Sequence, residues 1–377
     1  MKIIIDDKIP YIRGAFEKVA EVIYLSGPKT NPEVVKDADV IVTRTRTTCN
    51  EKLLGGSSVK FIATATIGYD HIDTEYCDKA GIKWTNAPGC NSGSVEQYIA
   101  SALMVLAERK KLQLKNLCIG IVGVGNVGSK VANICRLFGM KVLLNDPPRE
   151  RAEGPEEFVS LDKIKEEADI ITLHVPLNYK GEDVTYHLGN NTFFSSLKMK
   201  PILINSCRGE VLVTEAVKDA LKSGQLSGLV CDCWEHEPEI DLELLALTEL
   251  ATPHIAGYSK DGKATGTRMS VEAISNYFGL GLNNWQPVGV ELPAHPIIEL
   301  DGKEKTGPEI ISIAILSTYD IQNDDLLFRK NPALFEQLRG DYPTRREFPA
   351  YTILAVNVAS NELEILDKLG FKIIQEL

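Results

Sequence analysis

The sequence predicts an α/β protein with two Rossmann-like, doubly wound parallel-sheet domains and a small C-terminal α+β domain. Short apolar runs rich in β-branched residues alternate with helical patterns over residues 1–90 and again over about 117–251, which is typical of parallel sheets. A glycine-rich loop opens the second series. Residues 286–377 begin with a connector that contains Pro287 and Gly289, so we expect a separate domain there.

The first series predicts strands at residues 2–5, 22–25, 40–43 and 61–65, and a helix over 11–19. A long helix is predicted over about 95–110, where Ser94 and Gln97 resemble a capping box. The second series predicts strands at 117–123, 141–145, 170–174, 202–205, 228–231 and 249–252. In the last segment we expect strands at 311–317, 351–357 and 371–374, with helices at 331–338 and 360–369.

Composition excludes several classes of function. The chain has 377 residues and a formal net charge of −11, which argues against nucleic-acid and anionic-membrane binding. No run of 18 or more uncharged apolar residues occurs, so no membrane span is predicted. The start of the chain lacks the pattern of a secretory signal, and we expect a cytoplasmic protein. The eight cysteines form neither a CxxC pair nor a cluster with zinc spacing, which predicts no metal site.

The glycine-rich loop predicts a dinucleotide site. Gly123, Gly125 and Gly128 fit G-x-G-x-x-G between a strand and a helix that begins near Asn126 and Val127. Their expected roles are a tight turn, close approach of a pyrophosphate, and close packing of helix on strand. Asp146, which ends the next strand, suits the ribose hydroxyls of NAD. Arg149 leaves NADP open, and an ordinary βα turn is the alternative to any nucleotide site.

Three residues far apart in the chain suit oxidation of a 2-hydroxy acid. Arg208, Glu237 and His254 each follow a predicted strand, and the carboxyl ends of parallel strands meet at one edge of a sheet. A cation can hold the substrate carboxylate. An imidazole can take the hydroxyl proton, and a carboxylate can orient that imidazole.

These motifs resemble the D-isomer-specific 2-hydroxyacid dehydrogenase family over about residues 1–285. The resemblance implies a substrate domain built from residues 1–92 and a return segment at 257–285. An NAD-binding domain at 93–256 lies between them, and a C-terminal domain covers 286–377. It implies His254 as the acid/base residue, Glu237 as its partner and Arg208 as the substrate anchor. Further cofactor contacts are implied at Val175, Ser206, Cys207, Asp232 and Gly257.

Within the family, the chain most resembles the branch that oxidises 4-phosphoerythronate on the route to vitamin B6. The Gly257-Tyr258-Ser259 continuation, the insert at 178–188 and the C-terminal extension carry this likeness. It implies a phosphorylated 2-hydroxy acid as substrate, with contacts at Thr45, Thr66 and Tyr258. Arg44 and Arg46 are candidate phosphate ligands. A homodimer through the C-terminal domain is also implied. Phosphoglycerate dehydrogenase with a regulatory tail, another D-2-hydroxyacid dehydrogenase and an NAD-sensing corepressor remain the alternatives.

Overall fold

The computed structural model describes residues 1–375. Its strands are β1 (Lys2–Asp6), β2 (Glu21–Leu25), β3 (Val40–Thr43), β4 (Phe61–Thr64), β5 (Lys83–Thr85), β6 (Cys118–Val122), β7 (Lys141–Asn145), β8 (Ile170–Leu173), β9 (Ile202–Asn205), β10 (Gly228–Cys231), β11 (Leu250–Ala251), β12 (Ile297–Asp301), β13 (Thr352–Val356) and β14 (Lys372–Gln375). Its α-helices are α1 (Pro32–Val35), α2 (Glu51–Leu54), α3 (Thr74–Ala80), α4 (Ser92–Lys110), α5 (Asn126–Leu137), α6 (Pro147–Glu153), α7 (Leu161–Glu167), α8 (Asn191–Ser195), α9 (Thr214–Lys222), α10 (Leu242–Leu247), α11 (Lys260–Phe278), α12 (Gly307–Thr318), α13 (Ile321–Lys330), α14 (Phe335–Gly340) and α15 (Ser360–Lys368).

The chain divides into two compact units. The first contains Met1–Asn91 and Ser259–Glu291, and the second contains Ser92–Tyr258 and residues 292–375. The four domain segments drawn from the sequence stay predictions.

The first unit is built on a parallel sheet in the order β2-β1-β3-β4-β5. Chain order reverses at β1, as in a doubly wound sheet. The inward residues of β1, β3 and β4 are almost entirely buried, which agrees with their unbroken apolar sequences. Helix α11 contributes Val271 and Ile274 to the core on one side of this sheet.

The second unit contains a six-stranded parallel sheet in the order β11-β10-β9-β8-β6-β7. Chain order reverses between β6 and β8, and ligands of such sheets bind beyond the carboxyl ends of the strands at this point. The consecutive neighbours β9, β10 and β11 end side by side. Whatever follows them in the sequence therefore meets at the same edge.

The end of the chain adds a third, small parallel sheet, β12-β13-β14, to the second unit. One apolar core runs from α4 and α5 through α12 to β13 and includes Tyr98, Ile311, Ile315 and Ile353. The predicted α/β class is confirmed: two Rossmann-like sheets and a small C-terminal sheet are present.

Three local predictions are wrong. The helix expected over 11–19 is a series of turns, because Tyr11 and Gly14 have positive φ angles of 62° and 86°. The run at 311–317, expected as a strand, lies in helix α12. A short apolar run does not separate buried strand from buried helix, and the missed signal is the capping box of Thr306 and Glu309.

The third wrong prediction is the capping box at Ser94. Helix α4 begins at Ser92, and the Ser94 hydroxyl donates a hydrogen bond of 2.8 Å to Glu347 Oε1. Ser94 therefore lies in the first turn of the helix and contacts the C-terminal segment. Among residues 1–375, no helix has the length and apolar character needed to cross a membrane.

Candidate active site

The glycine loop has the sterics of a dinucleotide site. Gly123 has φ +88°, and a Cβ there would lie 2.7 Å from the carbonyl carbon of His174. A Cβ at Gly128 would overlap the carbonyl oxygen of Gly123. At Gly125, by contrast, a Cβ would meet nothing within 4 Å. The first and third glycines thus allow the loop to close, and the second leaves an open surface at the start of α5.

Helix α5 begins at Asn126 without a side-chain cap. Its first N–H groups, including those of Asn126 and Val127, are therefore available to an anion. The N-terminus of a helix favours negative charge for this reason. The loop and helix together fit the pyrophosphate of a dinucleotide.

Asp146 supports the same loop from the end of β7. Its Oδ2 accepts a hydrogen bond of 2.8 Å from Val124 N, and its Oδ1 accepts one from Arg149 N as the N-cap of α6. Asp146 and Gly123 line a cleft of about 320 Å³, together with Val175 and residues of the insert at 178–188. The cleft therefore adjoins the glycine loop at Asp146, the residue predicted to contact the ribose.

Arg149, the residue that left NADP open, is engaged elsewhere. Its Nε donates to Glu153 at 2.7 Å, and its NH1 donates to Val124 O at 2.6 Å. A 2′-phosphate would have to displace the Glu153 pair and would meet Asp146. These contacts favour NAD over NADP.

Ser206 and Cys207 follow β9 at the edge of the sheet. Ser206 Oγ is buried and, within residues 1–375, has no hydrogen-bond partner, which suits a contact to a bound cofactor. The Cys207 thiol contacts Asn205 Oδ1 at 3.1 Å, and burial raises its pKa to about 11. Cys207 is therefore protonated and packs beneath the site.

Arg208 comes next and is exposed. One N–H of its guanidinium donates to Cys207 O at 2.7 Å, and Asn205 Nδ2 holds the Arg208 carbonyl at 3.1 Å. Its charge also acts on the neighbouring loop, where it opposes the burial that raises the pKa of Cys233. Arg208 can therefore present the rest of its planar donor set to an anion.

Glu237 and His254 form a direct pair. His254 Nδ1 lies 2.7 Å from Glu237 Oε2, while Glu237 Oε1 accepts a hydrogen bond of 2.7 Å from Trp234 N. Because an ionised carboxylate can only accept, Nδ1 carries a proton, which in the neutral imidazole leaves the lone pair on Nε2. An imidazole oriented by a carboxylate in this way suits a general base, and the pair adjoins the buried Cys233 thiol.

Glu235, two residues before Glu237, has a different role. It accepts hydrogen bonds from Thr214 N at 2.9 Å and from His187 Nε2 at 2.9 Å. It thereby ties the loop after β10 to the start of α9. The sequence motif contains both carboxylates, but only Glu237 contacts the imidazole of His254.

Asp232 is fully buried beneath the His254 loop. Burial raises its pKa, while hydrogen bonds from Thr252, Ala256 and Ile255 act in the opposite direction. The oxygen Oδ1 accepts from Thr252 Oγ1 at 2.6 Å and from Ile255 N at 2.7 Å, and Oδ2 accepts from Ala256 N at 3.0 Å. In this structure Asp232 therefore organises the loop that carries His254 and leads to Gly257.

His174 lines the nucleotide side of the sheet edge. Desolvation lowers its pKa to about 3, and its Nε2 lies 3.0 Å from Thr172 Oγ1. A group with so low a pKa binds a proton poorly near neutral pH, so His174 does not suit the acid/base role expected of His254. His174 and His254 therefore differ in their suitability for proton transfer.

The predicted substrate contacts lie in both units. In the first unit, Arg44 NH1 donates to Lys8 O at 2.9 Å, Thr45 and Arg46 are exposed, and Thr66 Oγ1 contacts Thr64 Oγ1 at 2.7 Å. In the second unit, the Tyr258 ring packs edge-on against Tyr342 at 5.8 Å.

Sequence reasoning missed two residues at these sites. Lys263 is one: desolvation and the like charges of Lys260 and Arg44 lower its pKa, so three cations share one region of the first unit. Arg345 is the other, and it contacts the carbonyl groups just after His254. For Lys263, a search of the sequence for cations near the predicted Arg44 could have served as a signal. For Arg345, a contact between residues ninety positions apart leaves no local signal.

Comparison with protein families agrees with this geometry. Residues 96–256 match the model of the D-isomer specific 2-hydroxyacid dehydrogenase, NAD binding domain. Residues 291–370 match a domain of unknown function (DUF3410). The nucleotide loop therefore belongs to an NAD-binding domain.

Curated relatives cover nearly the whole chain. The erythronate-4-phosphate dehydrogenase of Bacteroides thetaiotaomicron is 54% identical over 357 residues, which is 94% of this chain and 100% of that protein. The protein of the same name from Porphyromonas gingivalis is 44% identical over 372 residues, which is 98% and 100% of the two chains. Among solved structures, D-lactate dehydrogenase from Aquifex aeolicus, complexed with NAD and lactic acid, has a TM-score of 0.59 at 28% identity. The match covers 76% of this chain and 97% of that one.

Proposed function

Because the chain belongs to the erythronate-4-phosphate dehydrogenase family of the D-isomer-specific 2-hydroxyacid dehydrogenases, we propose that it oxidises erythronate 4-phosphate with NAD. The product is 2-oxo-3-hydroxy-4-phosphobutanoate, and the reaction serves vitamin B6 biosynthesis. The observation that carries the chemistry is the 2.7 Å hydrogen bond between His254 and Glu237, in the same unit as the nucleotide loop.

Each member of the set has a defined task in this proposal. Arg208 binds the substrate carboxylate and polarises the C2 oxygen. The Nε2 lone pair of His254 takes the C2 hydroxyl proton as the C–O bond becomes a carbonyl. Glu237 stabilises the imidazolium that forms. NAD, when bound, accepts the hydride that leaves C2.

We propose substrate contacts at Arg44, Thr45, Arg46, Thr66 and Tyr258, and we add Lys263. The support for Lys263 is the combined like charge of Lys260 and Arg44, which acts on its pKa against the opposite effect of Glu291 and which a bound phosphate would offset. Replacement Lys263→Gln should raise the KM for erythronate 4-phosphate about tenfold, the loss of roughly one charge-assisted hydrogen bond. The same variant should leave the KM for unphosphorylated erythronate unchanged, and equal changes for both would exclude a phosphate contact.

We also propose a homodimer formed by the C-terminal sheet. Its outward residues include Ile297 and Ile374, which are 55% and 53% exposed, and Leu354, the register partner of Ile374. The charged Glu299, Asp301 and Lys372 lie on the same face. We propose a second copy as the cover for these apolar side chains, since exposed apolar patches with polar surroundings mark interfaces. Light scattering should show that Ile374→Lys halves the molar mass, whereas Leu326→Lys on α13 should not.

We place the enzyme in the cytoplasm, in keeping with its eight free cysteines.

The direct test is NADH formation across phosphorylated and plain 2-hydroxy acids. We expect the highest kcat/KM with erythronate 4-phosphate. Preference for 3-phosphoglycerate would replace the proposal with the phosphoglycerate alternative, and preference for D-lactate would remove the need for a phosphate site.

A further inference from the structure

The loop that carries His254 is held between two buried charges of opposite sign. Asp232, 1% exposed, lies on one side, and Arg345, 5% exposed, lies on the other. Arg345 comes from the C-terminal segment that matches a domain of unknown function. It lies ninety-one positions after His254 in the sequence, yet both residues belong to the second unit.

The two charges bind the backbone groups of the same two residues, Ile255 and Ala256. Asp232 accepts hydrogen bonds from the N–H groups of Ile255 and Ala256. The guanidinium of Arg345 donates to the carbonyl oxygens of Ile255 and Ala256, at 3.3 and 3.1 Å. The backbone just after His254 is thus fixed at both its donors and its acceptors.

The loop requires this support because His254 has φ +55°, a conformation that non-glycine residues rarely adopt. Such a conformation persists only when the surroundings over-determine it. The angle sets the direction of the imidazole toward Glu237. Movement of the Ile255 and Ala256 peptides would therefore change the His254–Glu237 geometry directly.

Arg345 is itself rigidly held. Its Nε donates to Gln97 Oε1 at 2.9 Å, and its NH2 also donates to Ser94 O, both in helix α4. The guanidinium lies 4.0 Å from the centre of the Tyr319 ring. These contacts occupy the planar donor set in several directions, as only an arginine can do.

We propose that Arg345 is a positioning residue for His254, so that the C-terminal segment completes the active site in addition to any role in assembly. This inference rests on the proposed dehydrogenase activity for its kinetic test. A second measurement on the imidazole itself does not depend on that activity.

The kinetic test compares Arg345→Met and Arg345→Lys with Arg329→Met in the full-length protein. Arg329 is the matched control. It also joins the C-terminal segment to the nucleotide region, donating to Leu245 O and Thr248 O at 2.6 and 2.9 Å, away from His254. Both Arg345 variants should lower kcat by roughly 10- to 100-fold, as expected for a misplaced acid/base group, with NAD affinity retained. The pH dependence of kcat/KM should shift in these variants, and Arg329→Met should change neither quantity.

The direct readout is the ¹⁵N spectrum of histidine-labelled protein without substrate, in which comparison with His254→Ala assigns the His254 signals. The parent should show Nδ1 protonated, and the Arg345 variants should show mixed tautomers. If Arg345→Met does not fold, Arg345→Lys, which keeps the buried charge, tests whether Arg345 positions His254. Unchanged tautomer and kcat in the Arg345 variants, or equal losses in Arg329→Met, would overturn the proposal. If the parent is inactive on erythronate 4-phosphate but the His254 tautomer still differs between parent and Arg345 variants, only the proposed substrate is overturned.

Discussion

Two loops of the second unit, the glycine loop after β6 and the His254 loop after β11, reach the same sheet edge by different means. The glycine loop needs space: Gly123 has φ +88°, and Gly128 leaves no room for a Cβ. The His254 loop must keep a large functional side chain at φ +55°, so glycine is not an option there. Its backbone is stabilised by Asp232 and Arg345 instead. A loop that binds its ligand through backbone N–H groups can be formed by glycines, which have no side chains. A loop that presents an imidazole needs buried partners that hold its backbone in place.

The largest effect should come from His254→Ala, which removes the function of the second loop and leaves the first intact. We expect kcat to fall by about 10²- to 10⁴-fold, the range of general acid–base catalysis. NAD affinity, measured by calorimetry, should stay close to that of the parent because the nucleotide loop is unaltered. Retained turnover would mean that another group removes the proton.

Gly128→Ala should have the next largest effect, because its Cβ would overlap Gly123 O, which is backbone and cannot rotate away. We expect a stability loss of about 1–3 kcal/mol from overpacking, seen as a lower Tm, together with weaker NAD binding. The His254–Glu237 pair should survive at saturating NAD. An unchanged Tm would show that α5 can shift without cost.

Gly125→Ala sharpens the same comparison, since a Cβ there meets no protein atom within 4 Å and φ is an ordinary −75°. Its Tm should match or exceed that of the parent. The dissociation constant of NAD should nevertheless rise, by roughly tenfold or more, because the methyl group stands where the pyrophosphate approaches. Equal NAD affinity in variant and parent would place the pyrophosphate elsewhere.

The two loops also differ in how far they could be predicted. The glycine pattern, Asp146 and the alternation of strands and helices along the chain are local signals. The fold class and the glycine loop could therefore be predicted from the sequence. Arg208, Glu237 and His254 could be grouped because each follows a neighbouring strand. The support of His254 by Arg345 could not, because it depends on the docking of α4 against a segment about 250 residues later. The apolar run in α12 is a different case, because it fits a buried strand and a buried helix equally well and only the capping box of Thr306 and Glu309 distinguishes them.

The smallest effect separates Glu235 from Glu237. Burial opposes ionisation of Glu235, but hydrogen bonds from Thr214 and His187 outweigh it and lower its pKa. A lowered pKa in the folded state contributes stability that is fully present above the unfolded value, about 4.3, and is lost as pH falls through the folded value. Glu235→Gln should therefore cost about 1 kcal/mol at pH 7. Its Tm should approach that of the parent as the pH falls below that unfolded value.

The comparator for this variant is Glu237→Gln, which removes the carboxylate that orients His254. We expect Glu237→Gln to lower kcat by about 10²-fold or more, while Glu235→Gln keeps nearly full kcat. Steady-state rates and thermal unfolding at pH 7 and pH 4 measure both effects. A large loss of kcat in Glu235→Gln would mean that the tie to α9 also fixes the turn leading to Glu237. The loop after β10 would then depend on buried partners in the way the His254 loop does.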